Sequence, residues 1–359
     1  MPDEHDEKSI FSPALLGTLL GVMLFVFLIV SGVLKSNSLK ESKEARKTPV
    51  PTKQVVIKDD PEIETGSSLT PEDLDFWDKY PEEKESEPTN AITPLPTATP
   101  FLNDPTIDGN HTLVINRDGS EEWVVISRYL LKNDYEDTNL VCQSGIMKYF
   151  EDGKQVSFTG IDVSQTNDYI DYGKVKKAGV DFVLIRGGLR GYGSGTLSFD
   201  EAFYDNVKGA ADAGLDVGVY FTSNAVTKEE AVEEAASLLD MLTDIKIVYP
   251  VIFDMGFVDN DTSRIEALSK ADKTDVALAF LGIMKESGYK TCIAGTKEWL
   301  IKEIDMSKLS EHDVWLKNEG DIPDYPYRFA MWQYSKEGKI DGVRGNVNMD
   351  ISFINYREK

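Results

Sequence analysis

From residue 158 onward, short apolar runs alternate with stretches whose apolar residues recur at helical spacing. Strands that alternate with helices typically form parallel β/α units. Eight such runs in about 200 residues predict an α/β fold, an irregular TIM-barrel-like (β/α) barrel of about eight strands. The runs are Phe158–Ser164, Phe182–Gly188, Val217–Thr222, Tyr249–Met255, Lys290–Gly295, Asp313–Lys317, Phe329–Tyr334 and Val347–Phe353.

Three amphipathic helices are predicted between these runs: Phe203–Ala213, Lys228–Leu242 and Lys273–Ser287. Thr227 followed by Glu230 has the spacing of a capping box, and Gly288 is typical of a helix end. The later connections between runs are too short for full helices, so a regular ring of eight helices is not expected.

Before the barrel, residues 106–157 predict a small β-rich extension. Apolar residues around Leu113–Ile115 and Val124–Ile126 have strand character, and Asp118-Gly119 and Asp152-Gly153 are typical turn pairs.

The N-terminal region predicts a single membrane span. After a tail of residues 1–11, residues 12–34 contain the uncharged run Ala14–Leu34, which is long enough to cross a bilayer core of about 30 Å. A cleaved signal peptide is the alternative, but the run exceeds the roughly 7–15 apolar residues of a signal peptide and no clear cleavage site follows.

Flanking charge does not agree with an exported domain. Acidic residues precede the apolar run and basic residues follow it, which by the positive-inside rule favours a cytoplasmic C-terminal domain. Long domains can cross despite such charges. We expect a single-pass membrane protein with its C-terminal domain outside the cytoplasm, and the opposite orientation stays open.

Residues 35–105 predict a disordered stalk. Ten of the fifteen prolines lie between Pro49 and Pro105, among Thr, Glu, Ser and Asp. A segment of this composition buries too little apolar surface to offset the entropy lost on ordering.

Composition excludes several classes of function. The net charge of −24 argues against nucleic acid as a partner. The two cysteines are too few for a disulfide framework, and the three histidines lie far apart in the sequence. We therefore expect no metal site, no cofactor and no histidine-based triad.

The strongest chemical candidate is Asp254. It ends the buried run Val251–Phe253, and a carboxylate there must be hydrogen-bonded or lie in a cleft. Side chains two apart on a strand share a face, so position 256 should face the same cleft, but it is Gly256. Asp162 ends the first run; it could act in the cleft or simply cap the following turn.

Two later runs add candidates. Trp332 and Gln333 could form an aromatic platform with an amide for sugar hydroxyls, or Trp332 could pack in the core. Asn348 and Asp350 share a face of the last run, so we expect one of them to reach the cleft.

Several motifs in this order resemble glycoside hydrolase family 25 over about residues 158–356. They are Gly160–Ser164, Gly179–Val183, Ala213–Tyr220, Glu229–Ala235, Tyr249–Asp254, Gly288-Tyr289, Trp299 and Trp332–Ser335. The resemblance implies an irregular β/α barrel and a lysozyme that cleaves the muramic acid–glucosamine bond of bacterial peptidoglycan, with glycan strands as the partner.

The resemblance also implies roles for individual residues. Asp162, Asp254 and Asp350 are the implied catalytic carboxylates. The implied substrate-binding residues are Tyr220, Asn167, Arg186, Trp332 and Gln333.

This chain departs from the family pattern at its acids. Gly256 stands where the family has the general-acid glutamate, and Asn348 with Asp350 reverses the usual order of acid and amide. Asn167 replaces a usual Gln, and a usual Tyr falls near Ala294.

A positioned acid typically contributes 10²–10⁴-fold to rate, so we expect weakened hydrolysis. Asp259 or Asp261 could supply an acid from the following loop. The alternatives are a catalytically inactive cell-wall-binding or scaffold module and, if the flanking charges set the topology, a cytoplasmic structural module.

Overall fold

The computed structural model describes residues 104–260 and 263–359. The N-terminal tail, the predicted membrane span, nearly all of the stalk and Asp261 lie outside these residues. Within the described part, no helix is long and apolar enough to cross a membrane.

The described residues form fourteen strands and four α-helices. The strands are β1 His111–Ile115, β2 Glu121–Val125, β3 Leu140–Gln143, β4 Ile146–Glu151, β5 Lys154–Gln155, β6 Phe158–Val163, β7 Phe182–Arg190, β8 Leu197–Phe199, β9 Asp216–Thr222, β10 Val251–Asp254, β11 Thr291–Gly295, β12 Asp313–Lys317, β13 Met331–Gly338 and β14 Val347–Ser352. The helices are α1 Tyr172–Lys177, α2 Phe203–Asp212, α3 Lys228–Met241 and α4 Lys270–Glu286.

Eight strands close into a barrel-like sheet, which confirms the predicted runs. The order is β6-β14-β13-β12-β11-β10-β9-β7, and a parallel pairing of β6 with β7 closes the ring. Strand β14 is antiparallel to both of its neighbours, and β8 forms an outer hairpin with β7. The other pairings in the ring are parallel, so most strands direct their carboxyl ends to one rim.

The three predicted helices are present with small shifts at their ends. Thr227 caps α3 by accepting a hydrogen bond from the backbone N–H of Glu230. Helix α4 begins three residues earlier than predicted, because Ser269 and Asp272 form a capping box there. After β11, the described chain forms only a short π-helical turn, Trp299–Glu303, which agrees with an incomplete helix ring.

Because side chains alternate in direction along the barrel strands, the buried residues form two cores, one inside the barrel and one outside it. Side chains that point inward, including Phe182, Tyr249 and Trp315, fill the barrel interior, and the rings of Phe182 and Tyr249 stack 4.1 Å apart. Gly160 is required beside them, because a Cβ there would lie 2.1 Å from the Phe182 ring. This packing fills the barrel below the rim.

The extension before the barrel is β-rich, with β1–β2 in one small sheet and β3–β4–β5 in another. It packs directly on the barrel. Tyr135 stacks on Phe353 with ring centroids 4.1 Å apart, and Tyr334 accepts a hydrogen bond from the backbone N–H of Met147.

Candidate active site

A cavity of about 690 Å³ opens at the carboxyl ends of the barrel strands. Inward-facing residues at the strand ends form its floor: Asp162, Arg186, Tyr220, Asp254, Lys317, Gln333 and Asn348. The six on parallel strands each lie two residues beyond an inward-facing position, and Asn348, near the start of antiparallel β14, lies two residues before inward-facing Asp350. Except for Lys317, all of these were candidates in the sequence.

Asp162, at the end of β6, is almost completely buried, with 4 % of its surface exposed. Gln333 donates from Nε2 to one carboxylate oxygen at 2.6 Å, and Asn348 donates from Nδ2 to the other at 2.9 Å. Burial raises the pKa of Asp162, while nearby Lys317 and the two amides oppose that increase. Two neutral amides therefore fix the orientation of this carboxyl.

Asp350 lies behind Asp162 and does not line the cavity. It has no exposed surface, and Oδ1 accepts a hydrogen bond from Trp315 Nε1 at 2.8 Å. Burial raises the pKa of Asp350 well above its usual range, and its contact with Asp162 acts in the same direction. Its Oδ2 is buried and has no hydrogen-bond partner within the described structure, so a proton bound there would be available for donation towards Asp162. Of the last-strand pair, Asn348 is the residue that reaches the cleft.

Asp254, at the end of β10, forms an ion pair inside the cleft. Its Oδ1 lies 2.7 Å from Nζ of Lys317, and both side chains are largely buried. The same Nζ lies 4.6 Å from the centroid of the Trp315 ring and 5.9 Å from that of Tyr220. A lysine held by aromatic faces thus neutralises the carboxylate that the sequence singled out.

Gly256 also lines the cavity and leaves space there. A Cβ at this position would have no heavy atom within 4 Å, and its φ is not in the left-handed region. A larger side chain is thus compatible with both the backbone and the surrounding volume.

Arg186 and Tyr220 occupy the β7–β9 side of the floor. Arg186 donates from Nε to Asp200 Oδ2 at 2.8 Å, and Asp200 also accepts from the backbone N–H of Gln165. Tyr220 donates its hydroxyl to the carbonyl of Val163 at 3.4 Å, and burial raises its pKa well above 10. The phenol therefore stays protonated.

Two predicted binding residues lie elsewhere. Trp332 is fully buried in the core outside the barrel, where its Nε1 donates to the carbonyl of Asn318 at 2.6 Å. The platform interpretation of Trp332 is therefore wrong: alternation on β13 turns Gln333 inward and Trp332 outward. Asn167 does not line the cavity, because its Oδ1 accepts from the backbone N–H of Ser164 in a capping box.

Glu298 lines the cavity and was not a candidate in the sequence. It lies beyond β11, is half-buried, and burial raises its pKa, while Lys302 and the backbone N–H of Arg117 oppose that increase. Asp259 also lines the cavity but is fully exposed and lies 3.5 Å from Arg117. Of these two described carboxylates, Glu298 is therefore the stronger candidate acid, and Asp261 lies outside the described residues.

The remaining charges on the rim are paired. Lys297 contacts Asp324 at 2.6 Å, and Lys336 contacts Glu319 at 2.7 Å. Within the described part of the chain, no group of three or more His, Cys, Asp or Glu side chains could hold a metal ion. The chemistry that the described cleft offers is that of carboxyl, amide, guanidinium and ammonium groups.

The sequence matches the model of Glycosyl hydrolases family 25 over residues 161–343, half of the chain, and the protein belongs to that family. A similar curated protein is the autolytic lysozyme of Clostridium acetobutylicum, 23% identical over 194 residues. That match covers 53% of this chain and 54% of the autolytic lysozyme, so the chain spans about half the length of this relative.

Solved structures similar to this one include two proteins that are each 19% identical to it in sequence. The modular autolysin LytC from Streptococcus pneumoniae, in complex with a synthetic peptidoglycan ligand, has a TM-score of 0.48 and covers 67% of this chain and 56% of its own. A family 25 glycosyl hydrolase from Bacillus anthracis has a TM-score of 0.46 and covers 59% of this chain and 94% of its own.

Proposed function

We propose that this domain binds peptidoglycan glycan strands in the barrel cleft and hydrolyses them weakly. The observation that carries the proposal is the pairing of Asp254 with Lys317 beside the open space at Gly256. The cleft keeps the shape and polar lining of a sugar site, but its central carboxylate is neutralised and the adjoining position has no side chain.

Glycoside cleavage needs a proton for the leaving oxygen and negative charge near the sugar ring, which develops positive charge in the transition state. Gly256 supplies no proton, and Lys317 opposes a second positive charge close to Asp254. Asp162 is held by Gln333 and Asn348 from within the barrel.

Binding of a glycan, unlike its hydrolysis, does not require these residues to transfer a proton. Amide and guanidinium groups hydrogen-bond sugar hydroxyls without changing their own protonation state. Gln333, Asn348 and Arg186 line the floor beside the protonated phenol of Tyr220. This polar floor supports a glycan-binding role that survives the loss of an acid. A catalytically inactive cell-wall-binding or scaffold module is the limit of this proposal in which hydrolysis is absent.

Retained hydrolysis through Glu298 is the second candidate function. A half-buried carboxyl with a raised pKa lines the same cavity as Asp254, and such a group can act as a general acid. Under this alternative the parent protein cleaves peptidoglycan at an ordinary lysozyme rate, and Glu298→Gln abolishes the cleavage.

The experiment measures reducing ends released from purified peptidoglycan. The parent should release few, and Gly256→Glu should raise the rate by about 10²-fold or more, because it places a carboxyl in open space. Mass spectrometry should identify muramic acid at the new reducing ends. An active parent whose activity depends on Glu298 would replace the weakened-site proposal with the second candidate.

In the Gly256→Glu background, adding Asn348→Asp alone should not raise the hydrolysis rate further. Asn348 donates to Asp162, so Asn348→Asp would place two carboxylates in contact. Exchanging acid and amide together, Asn348→Asp with Asp350→Asn, keeps the number of carboxyls and should be tolerated better.

We further propose that residues 12–34 anchor the protein in a bacterial cell membrane, with residues 35–105 as a stalk and the C-terminal domain outside the cytoplasm. The apolar run and the proline-rich composition support this arrangement, and the flanking charges oppose it. Protease added to intact, wall-stripped cells should remove the C-terminal domain. Full protection until lysis would instead place the domain in the cytoplasm.

A further inference from the structure

We propose that the outer face of the β1–β2 hairpin is a further glycan-binding subsite that continues the barrel cleft. This inference rests on the proposed glycan-binding function and adds a surface outside the family-matched residues 161–343. The hairpin tip lines the cavity through Ile115, Asn116 and Arg117.

The hairpin is fixed to the barrel at that tip. Arg117 donates to Glu266 Oε1 at 3.0 Å and to the carbonyl of Val258 at 3.3 Å, and its guanidinium lies 4.7 Å from the centroid of the Phe257 ring. From the barrel side, Lys302 contacts the hairpin turn and β2. These contacts on several barrel segments give the hairpin a defined place at the cleft.

Lys302 Nζ donates to Asn116 Oδ1 and to Glu122 Oε2, each at 2.8 Å. Asn116 follows β1 and Glu122 lies on β2, so one lysine holds the two strands against the barrel. On the same inner face, Val114 is completely buried. The inner face of the hairpin therefore faces the barrel, with Val114 packed there and Glu122 paired with Lys302.

The outer face is mostly apolar and open to solvent. Register places Leu113 opposite Trp123, His111 opposite Val125 and Ile115 opposite the exposed Glu121 on this face. Exposure is 62 % for Ile115, 39 % for Trp123 and 68 % for Val125. The Trp123 indole, with Val125 beside it and Leu113 opposite, forms a flat surface on which the apolar face of a sugar ring can stack, and neighbouring Glu121 can accept hydrogen bonds from sugar hydroxyls.

Continuity with the cavity identifies the occupant as a glycan strand. Ile115 belongs both to the cavity lining and to the outer face of the hairpin. A cavity of about 690 Å³ is of the size that holds a drug-sized ligand, so a polymer bound there must leave across the rim. The hairpin forms one part of that rim. Trp123 lies opposite Leu113, which is two residues before Ile115 on the same face.

The test compares two glycan lengths on the full-length chain in detergent. The probes are a glucosamine–muramic acid disaccharide and an octasaccharide of the same repeat. Trp123→Ala should weaken octasaccharide binding about tenfold and leave disaccharide binding unchanged, because only the longer strand reaches the hairpin. Trp123→Phe should retain most of the octasaccharide affinity.

Tyr169→Ala is the matched control, since Tyr169 is an exposed aromatic residue away from the cleft, and it should change neither affinity. If the parent binds neither probe, the proposed function itself fails. If the parent binds the octasaccharide and Trp123→Ala binds both probes like the parent, or loses both equally, the hairpin subsite is overturned. Val125→Asn provides a second variant with the same expected result if Trp123→Ala does not fold, because Val125 lies on the outer face and does not line the cavity.

Discussion

The two acidic sides of the cleft hold their carboxylates in opposite ways. Asp162 accepts hydrogen bonds from Gln333 and Asn348, both neutral, whereas Asp254 forms an ion pair with Lys317. Both acids end barrel strands and both face inward, so the strand pattern alone makes them equivalent. The difference shows that the partner of an acid, and not its place on a strand, decides whether its charge is available to a ligand.

The two sides also differ in how burial affects their carboxyl groups. Behind Asp162, burial raises the pKa of Asp350 well above its usual range, and the contact with Asp162 acts in the same direction. On the other side, the ammonium of Lys317 balances Asp254 directly. We therefore expect the Asp162 side to respond to pH and the Asp254 side to respond to removal of the lysine.

The largest expected effect comes from removing Lys317 after an acid has been restored. In the Gly256→Glu background, Lys317→Met should raise the hydrolysis rate roughly 10- to 100-fold, because a cation beside the sugar opposes the positive charge of the transition state. Release of reducing ends measures the rate. Lys336→Met is the control, because Lys336 also lines the cleft but pairs with Glu319. Equal rates for the Lys317 variant and its background would show that the ion pair does not restrain Asp254.

An intermediate effect is expected at Asp350. Asp350→Ala leaves the buried Nε1 of Trp315 without its acceptor and should cost about 1–3 kcal/mol of unfolding free energy. Asp350→Asn keeps an acceptor for Trp315 and a donor for Asp162, so its cost should be smaller. Urea unfolding of the two variants beside the parent provides the measurement.

The same residue predicts a pH dependence with a definite sign. The pKa of Asp350 is raised from 3.8 in the folded state, so the folded protein retains a proton that the unfolded chain has lost. Stability from this group is therefore present at low pH and is lost as pH rises towards the folded pKa. Relative to the parent, Asp350→Asn should gain stability as pH increases from about 4 to 8. A difference that is constant across this range would mean that Asp350 is ionised in the folded protein.

The smallest effect is expected at Asn167, which lies in the short turn that follows β6 and Asp162. Its side chain accepts from the backbone N–H of Ser164, so Asn167→Ala should cost about 1 kcal/mol of stability. Glycan affinity should not change, because Asn167 does not line the cavity. Weaker glycan binding at unchanged stability would restore the binding role that the family resemblance implied.

The barrel could be predicted from the sequence because its signal is local. Each strand needs only a short apolar run, and the run Val251–Phe253 before Asp254 also identified one end of the cleft. The face of each side chain was harder to predict. On a strand buried on both sides, Trp332 and Gln333 are equally compatible with either face, and only the closed sheet shows that Gln333 points inward.

Lys317 left a signal that could have been used. It lies two residues beyond buried Trp315 at the end of a predicted run, as Asp254 lies two beyond Ile252. A search for acids alone passes over such a lysine. The position of the β1–β2 hairpin at the cleft and the place of Glu298 in the cavity could not be derived from the sequence. They depend on contacts between residues distant in sequence, such as Arg117 with Glu266.

The antiparallel strand β14 has a consequence for how the site is assembled. It closes the barrel by pairing with β6, in a register that sets Asn348 against Asp162 across 186 residues of chain. Contacts this distant in sequence form slowly, because the intervening chain must first be ordered. One of the two amides that orient Asp162 therefore arrives with the last strand of the barrel to be synthesised, and the floor of the cleft is complete only after the barrel has closed.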